Sequence, residues 1–146
     1  MTCFSLLILL LTSEASAESD VGLGVVLGYP TGFTLKTEKI SSVHLGYAFS
    51  LAGSSIQSNI DHWFYTSELS KDSTLYVGGG VAVGAFFSPT TLSLDLGARV
   101  PVGIQYYPKQ DIELFAEAAP TFSIFPQSAI GVSPALGVRF HFSPKQ

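Results

Sequence analysis

The sequence predicts an all-β fold: an antiparallel, eight-stranded, up-and-down barrel that crosses a membrane. Three observations predict it. Apolar residues make up 47% of the chain and charged residues only 12%, about half the roughly 25% charge of a soluble domain. Beyond the N-terminal segment, no stretch approaches the roughly 20 consecutive apolar residues that a helical span needs. From Val21 onward, apolar and small or polar residues alternate with period two, the pattern of strands with two unlike faces. A chain this apolar, without helical spans, is left with a closed barrel, because lipid offers no partner for an unpaired backbone N–H or C=O.

The 146 residues suit one domain. Phe4 to Leu11 is a short apolar run, and Ala15-Ser16-Ala17 has the small-x-small form of a cleavage site. Residues 1–17 therefore read as a secretory signal peptide and 18–146 as the barrel domain. The competing reading is a buried N-terminal strand or helix, since no Lys or Arg precedes the apolar run. The single cysteine, Cys3, falls in the removed segment, so thiol chemistry and disulfides are not expected of the mature chain. A net charge of −4 without a basic stripe argues against nucleic acid as a partner.

The alternation divides the chain into Val21–Tyr29, Gly32–Thr37, Ser42–Ser50, Ser55–Thr66, Thr74–Phe87, Leu92–Tyr107, Asp111–Ile124 and Ser128–Phe142. Most reach the 9–11 residues of a tilted transmembrane strand. In the sixth, Leu92, Leu94, Leu96, Ala98, Val100, Val102 and Ile104 share one face, with Ser93, Asp95, Gly97, Arg99, Gly103 and Gln105 opposite. In the seventh, Ile112, Leu114, Ala116 and Ala118 oppose Glu113 and Glu117. In the last, Leu136, Val138, Phe140 and Phe142 oppose Gly137, Arg139 and His141.

A soluble sandwich would turn its apolar face inward, whereas a membrane barrel turns it to lipid and fills the lumen with polar groups. The polar faces are mostly Gly, Ala and Ser. Their few charges, Asp61, Asp95, Arg99, Glu113, Glu117 and Arg139, carry both signs, as a packed interior network requires. With antiparallel turns, Arg139 falls opposite Glu113, and Arg99 falls diagonal to Glu117. Small lumens are filled by side chains, so the expected role of this set is a structural plug; the sharper alternative is a gated polar pathway.

Aromatic residues are expected in two girdles at the bilayer interfaces. One holds Tyr29, Phe33, Phe49, Phe86, Phe87, Phe122 and Phe125. The other holds Trp63, Phe64, Tyr65, Tyr76, Tyr106, Tyr107, Phe140 and Phe142. With the N-terminus in the periplasm, the outer connections are Pro30-Thr31, Leu51–Ser54, Ser88–Thr91 and Pro126-Gln127, all without charge. The inner ones hold Glu38, Lys39, Glu68, Lys71, Asp72, Lys109 and Asp111.

The last strand, Leu136-Gly137-Val138-Arg139-Phe140-His141-Phe142, resembles the C-terminal insertion signal of bacterial outer-membrane barrels. That signal is a glycine, two variable residues, then apolar-x-aromatic; Gly137, Phe140 and Phe142 match it. Leu136 stands where a polar residue is usual, and Ser143-Pro144-Lys145-Gln146 follow the aromatic. The mature chain as a whole resembles the small eight-stranded, porin-like barrels of the OmpA transmembrane-domain type. The stretch Gly97-Ala98-Arg99-Val100-Pro101-Val102-Gly103 is similar to a Gly-x-Arg-x-Pro-x-Gly strand of other outer-membrane families and implies no activity. The resemblance implies an outer-membrane location, with outer-membrane lipid and the barrel-assembly machinery as partners.

Catalytic, metal and cofactor sites are not expected. Ser58 and His62 share the apolar face of the fourth strand, but four residues along a strand is about 13 Å, too far for a nucleophile–base contact. His44, His62 and His141 lie on separate strands without metal-ligand spacing. Gly22, Gly24, Gly28, Gly78, Gly79, Gly80 and Gly84 alternate within strands and open no helix, so they form no phosphate loop; they make room inside the barrel. The expected function is a non-catalytic structural or interaction protein with a plugged lumen. The alternatives are a barrel handling lipid or a small apolar ligand, a narrow pore, and a soluble secreted barrel.

Overall fold

The computed structural model describes residues 21–37, 41–50 and 53–142, for 41–50 and 53 the backbone alone. The proposed signal peptide, Glu38, Lys39, the residues after Phe142, and the side chains of His44 and Phe49 lie outside the described residues. No helix in the described residues is long and apolar enough to cross a membrane.

The described residues form nine strand segments: β1 (Val21–Gly28), β2 (Gly32–Thr37), β3 (Ser41–Ser50), β4 (Gly53–Ser70), β5 (Ser73–Phe87), β6 (Leu92–Arg99), β7 (Val102–Lys109), β8 (Ile112–Phe125) and β9 (Ala129–Phe142). All pairings are antiparallel, and β9 pairs back onto β1, from Val21↔Phe142 to Gly28↔Ala135. This closure removes both sheet edges.

The expected sixth strand, Leu92–Tyr107, is interrupted at Val100–Pro101, because Pro101 has no N–H for the ladder. β6 and β7 still occupy one position in the ring. Both pair with β5 on one side and β8 on the other. Gly78 N donates to Pro101 O at 2.8 Å and Val100 N to Pro120 O at 2.9 Å, which bridges the gap. Nine segments thus make eight barrel strands, meandering up and down.

The β4–β5 hairpin is longer than expected. β4 runs to Ser70, so Glu68 is in the strand and the turn is Lys71-Asp72. Val21 and Phe142 lie together at one end of the barrel, called here the terminal end, with the turns at 71–72 and 110–111. The distal end carries the links 29–31, 88–91 and 126–128. At the first of these Gly28 has φ +135°, a conformation that glycine tolerates. Thr31 Oγ1 donates to Gly28 O at 2.9 Å and accepts from Gly28 N at 3.1 Å.

The distribution of residues is inverted relative to a soluble domain. Among the described residues, twenty-nine large apolar or aromatic side chains are exposed and five hydrophobic ones are buried. Thirteen polar or charged residues are buried with them. Leu23, Val25, Ile60, Val83, Leu94, Ile104, Leu136 and Phe140 face outward; Asp61, Arg99, Glu113, Glu117 and Arg139 face inward. The outward band is what a hydrocarbon environment accepts and water does not.

The expected girdles need correction. At the distal end Phe33, Phe87, Phe122 and Phe125 are exposed, but Phe86 alternates inward and approaches Gly84. At the terminal end Trp63, Tyr76 and Tyr107 point into the lumen. Trp63 stacks on Tyr76 with ring centroids 4.1 Å apart, and Tyr76 is wholly buried. The register shifts between Trp63 and Tyr65; this bulge turns both Phe64 and Tyr65 outward and leaves Trp63 inside.

Candidate functional site in the barrel lumen

The lumen side chains form two linked groups, and glycines shape both. Asp61 is opposite Gly80 on β5, and Gly80 is opposite Arg99 on β6. With no side chain between them, Arg99 Nε comes within 3.2 Å of Asp61 Oδ1. A Cβ on Gly80 would collide with Asp61 Oδ1 and the Ile60 carbonyl. The same row appears at Tyr76–Gly103–Glu117, where the Tyr76 hydroxyl donates to Glu117 Oε2 at 2.7 Å. It appears again at Thr34–Gly24–Arg139, where Arg139 Nε donates to Thr34 Oγ1 at 3.0 Å.

The first group centres on Arg99, which is 2% exposed. Its Nη2 donates to Glu117 Oε1, reaching past the break at Val100–Pro101. Its Nη1 faces the Asn59 amide, whose oxygen is assigned to that side because a guanidinium can only donate; the amide nitrogen then donates to Ser58 O at 3.1 Å. The Arg99–Asp61 contact is an ion pair without a directed hydrogen bond, so charge rather than a hydrogen bond holds Asp61.

The second group centres on Glu113, wholly buried near the terminal end. It receives Arg139 Nη1 at 2.6 Å, Lys36 Nζ at 2.9 Å and the Tyr107 hydroxyl at 3.2 Å, and His141 Nε2 lies 2.6 Å away. Arg139 also stacks 3.8 Å above the Phe115 ring, and Lys36 Nζ lies 4.8 Å from the Trp63 centroid. The paired groups balance: Lys36, Arg99 and Arg139 against Asp61, Glu113 and Glu117. Buried charges are tolerated when paired and hydrogen-bonded in this way.

The expected lumen residues are therefore not one network of six. Asp61, Arg99 and Glu117 meet, as do Glu113 and Arg139. Asp95 faces the lumen but makes no ion pair among the described residues. It lies opposite Gly84, four residues or about 13 Å from Arg99, whose guanidinium turns the other way. Sequence reasoning missed Lys36, Thr34, Tyr76, Tyr107 and His141 as members.

Gly137 lies between Phe115 and Val26, and a Cβ there would strike the Phe115 ring. Phe140 and Phe142 are exposed on the outer face. On β4, Ser58 and His62 are opposite Val83 and Gly79, and four residues of strand keep these two side chains from meeting. Among the described residues no group of three or more His, Cys, Asp or Glu is placed to hold a metal ion.

No family model and no curated protein sequence matches the chain. Solved structures do. The N-terminal β-barrel domain of Pseudomonas aeruginosa OprF aligns at TM-score 0.58 and 14% identity, over 86% of this chain and 97% of that domain. The chain has the fold of that barrel. Two others align at TM-score 0.49 over 86% of this chain. They are Ail, the attachment invasion locus protein of Yersinia pestis (16% identity, 98% of that chain), and Neisserial surface protein A (13%, 95%). The OprF likeness agrees at the level of fold with the resemblance read from the sequence.

Proposed function

We propose that the chain is a non-catalytic outer-membrane β-barrel protein with a structural or interaction role, its lumen plugged by its own side chains. The observation that carries this reading is the inverted barrel: a closed wall, apolar outside, with balanced buried ion pairs inside. Secretion through residues 1–17 and insertion by the barrel-assembly machinery through Gly137, Phe140 and Phe142 belong to the same reading. So does an orientation with the terminal end in the periplasm. The Arg99 and Glu113 groups, stacked along the axis, support the plug. The distance between Ser58 and His62 supports the absence of catalysis.

Cell fractionation tests the location. The protein is expected in the outer membrane, released only by detergent, with heat-modifiable gel mobility. Recovery from the soluble fraction without detergent would overturn the proposal and favour the soluble secreted barrel.

A further inference from the structure

We infer that the distal half of the lumen is a binding site for one small hard cation of the Ca2+ class. The inference starts from the glycine rows. In three of them the flanking side chains meet over the glycine. In a further row, Gln57–Gly84–Asp95, they do not. Gln57 and Asp95, together with Thr121, Ser133 and Tyr29, line a cavity of about 30 Å3. A water-sized particle needs about 10–15 Å3, so the space suits one or two.

Two side chains point to what fills it. Gln57 is 6% exposed and has no hydrogen-bond partner among the described residues, so its amide is left for whatever occupies the cavity. Asp95 is a half-buried carboxylate without a cation. The ion pairs of the lumen balance without Asp95, so its negative charge is the one left over among the described residues. A neutral molecule satisfies Gln57 and leaves that charge; an anion adds to it. A divalent cation answers both.

The donors are all oxygens. Thr121 donates its hydroxyl proton to Ala119 O at 3.1 Å. Ser133 Oγ, 3.2 Å from Thr121 Oγ1, must then be the donor of that pair, which leaves its lone pairs as acceptors. The Asp95 carboxylate, the Gln57 carbonyl oxygen and these hydroxyls, with solvent completing the shell, form a mixed oxygen set. Ca2+ accepts such sets in flexible geometry, whereas Mg2+ demands a near-ideal octahedron. No spacing rule in the sequence joins these donors, because they come from β4, β6, β8 and β9.

Tb3+ is the probe, because Tyr29 lines the cavity and can sensitise its luminescence. Titrated into the barrel folded in detergent micelles, Tb3+ is expected to give saturable luminescence that Ca2+ displaces at about 10−5–10−3 M, with Mg2+ weaker. Asp95→Asn should weaken binding at least tenfold. Millimolar Ca2+ should also raise the unfolding temperature of the wild type and not of Asp95→Asn. If Asp95→Asn does not fold, Gln57→Leu reads the same loss. The inference fails if luminescence does not saturate, if Asp95→Asn binds as well as wild type through surface carboxylates, or if Na+ competes as well as Ca2+.

Discussion

Glu113 and Arg139 face each other across the β8–β9 pair, 2.6 Å from carboxylate to guanidinium, with neither side chain exposed. The two partners are not equivalent. Glu113 also receives Lys36 and Tyr107, with His141 beside it, while Arg139 has Thr34 and the Phe115 ring as further supports. Glu113→Gln leaves two cations around one neutral amide. Removing one partner of a buried pair costs about 3–5 kcal/mol. Arg139→Met leaves Glu113 with Lys36 and is expected to cost less. Urea unfolding of the barrel in lipid vesicles measures both. Equal losses, or a milder loss for Glu113→Gln, would contradict the asymmetry.

Gly24 lies where β1 closes on β9, between Thr34 and Arg139. A Cβ there would meet the Val138 carbonyl and the Arg139 Cα, both backbone atoms that cannot swing aside. Gly24→Val is therefore expected to destabilise the barrel by about 1–3 kcal/mol or more, as overpacking does. It should also reduce the folded, fast-migrating band on unheated gels. A Cβ added at Gly131 would meet nothing within 4 Å, so Gly131→Ala should stay within about 0.5 kcal/mol of wild type. Parallel behaviour of the two variants would refute the role given to close approach at Gly24.

Trp63 is the only tryptophan, so its emission reports one place. Stacked on Tyr76 inside the lumen, it should be quenched weakly by brominated acyl chains. A tryptophan at Ile60, which is 53% exposed on the outer face, should be quenched strongly when placed in a Trp63→Phe background. Strong quenching of Trp63 itself would return it to the lipid-facing girdle.

That misplaced girdle shows where sequence pattern stops. Alternation alone exposed the barrel, because each strand repeats it and closure is the only membrane solution for such strands. It also placed Arg99, Glu117, Glu113 and Arg139 on one face. It could not show the bulge at Phe64, since one extra residue resets the face of every later residue in β4 without any change in composition. Nor could it join Lys36 to Glu113. Those residues are 77 positions apart, and their meeting depends on β1 lying between β2 and β9. The one available signal for the rows was the inward glycines Gly24, Gly80 and Gly103, each flanked after pairing by two polar side chains that meet.

The proposed plug is open to a direct electrical test. Ions crossing the lumen must pass the Arg99 group and then the Glu113 group, each centred on side chains that are almost wholly buried. Arg99→Met shortens the central side chain of the first group but leaves Glu113, Arg139, Lys36 and His141 in place below it. Planar-bilayer recordings are therefore expected to show near-zero conductance for both wild type and Arg99→Met. Stepwise openings in the wild type would show that the pairs exchange partners often enough to admit ions. Openings in Arg99→Met alone would make the Arg99 group the sole barrier and remove the Glu113 group from the plug.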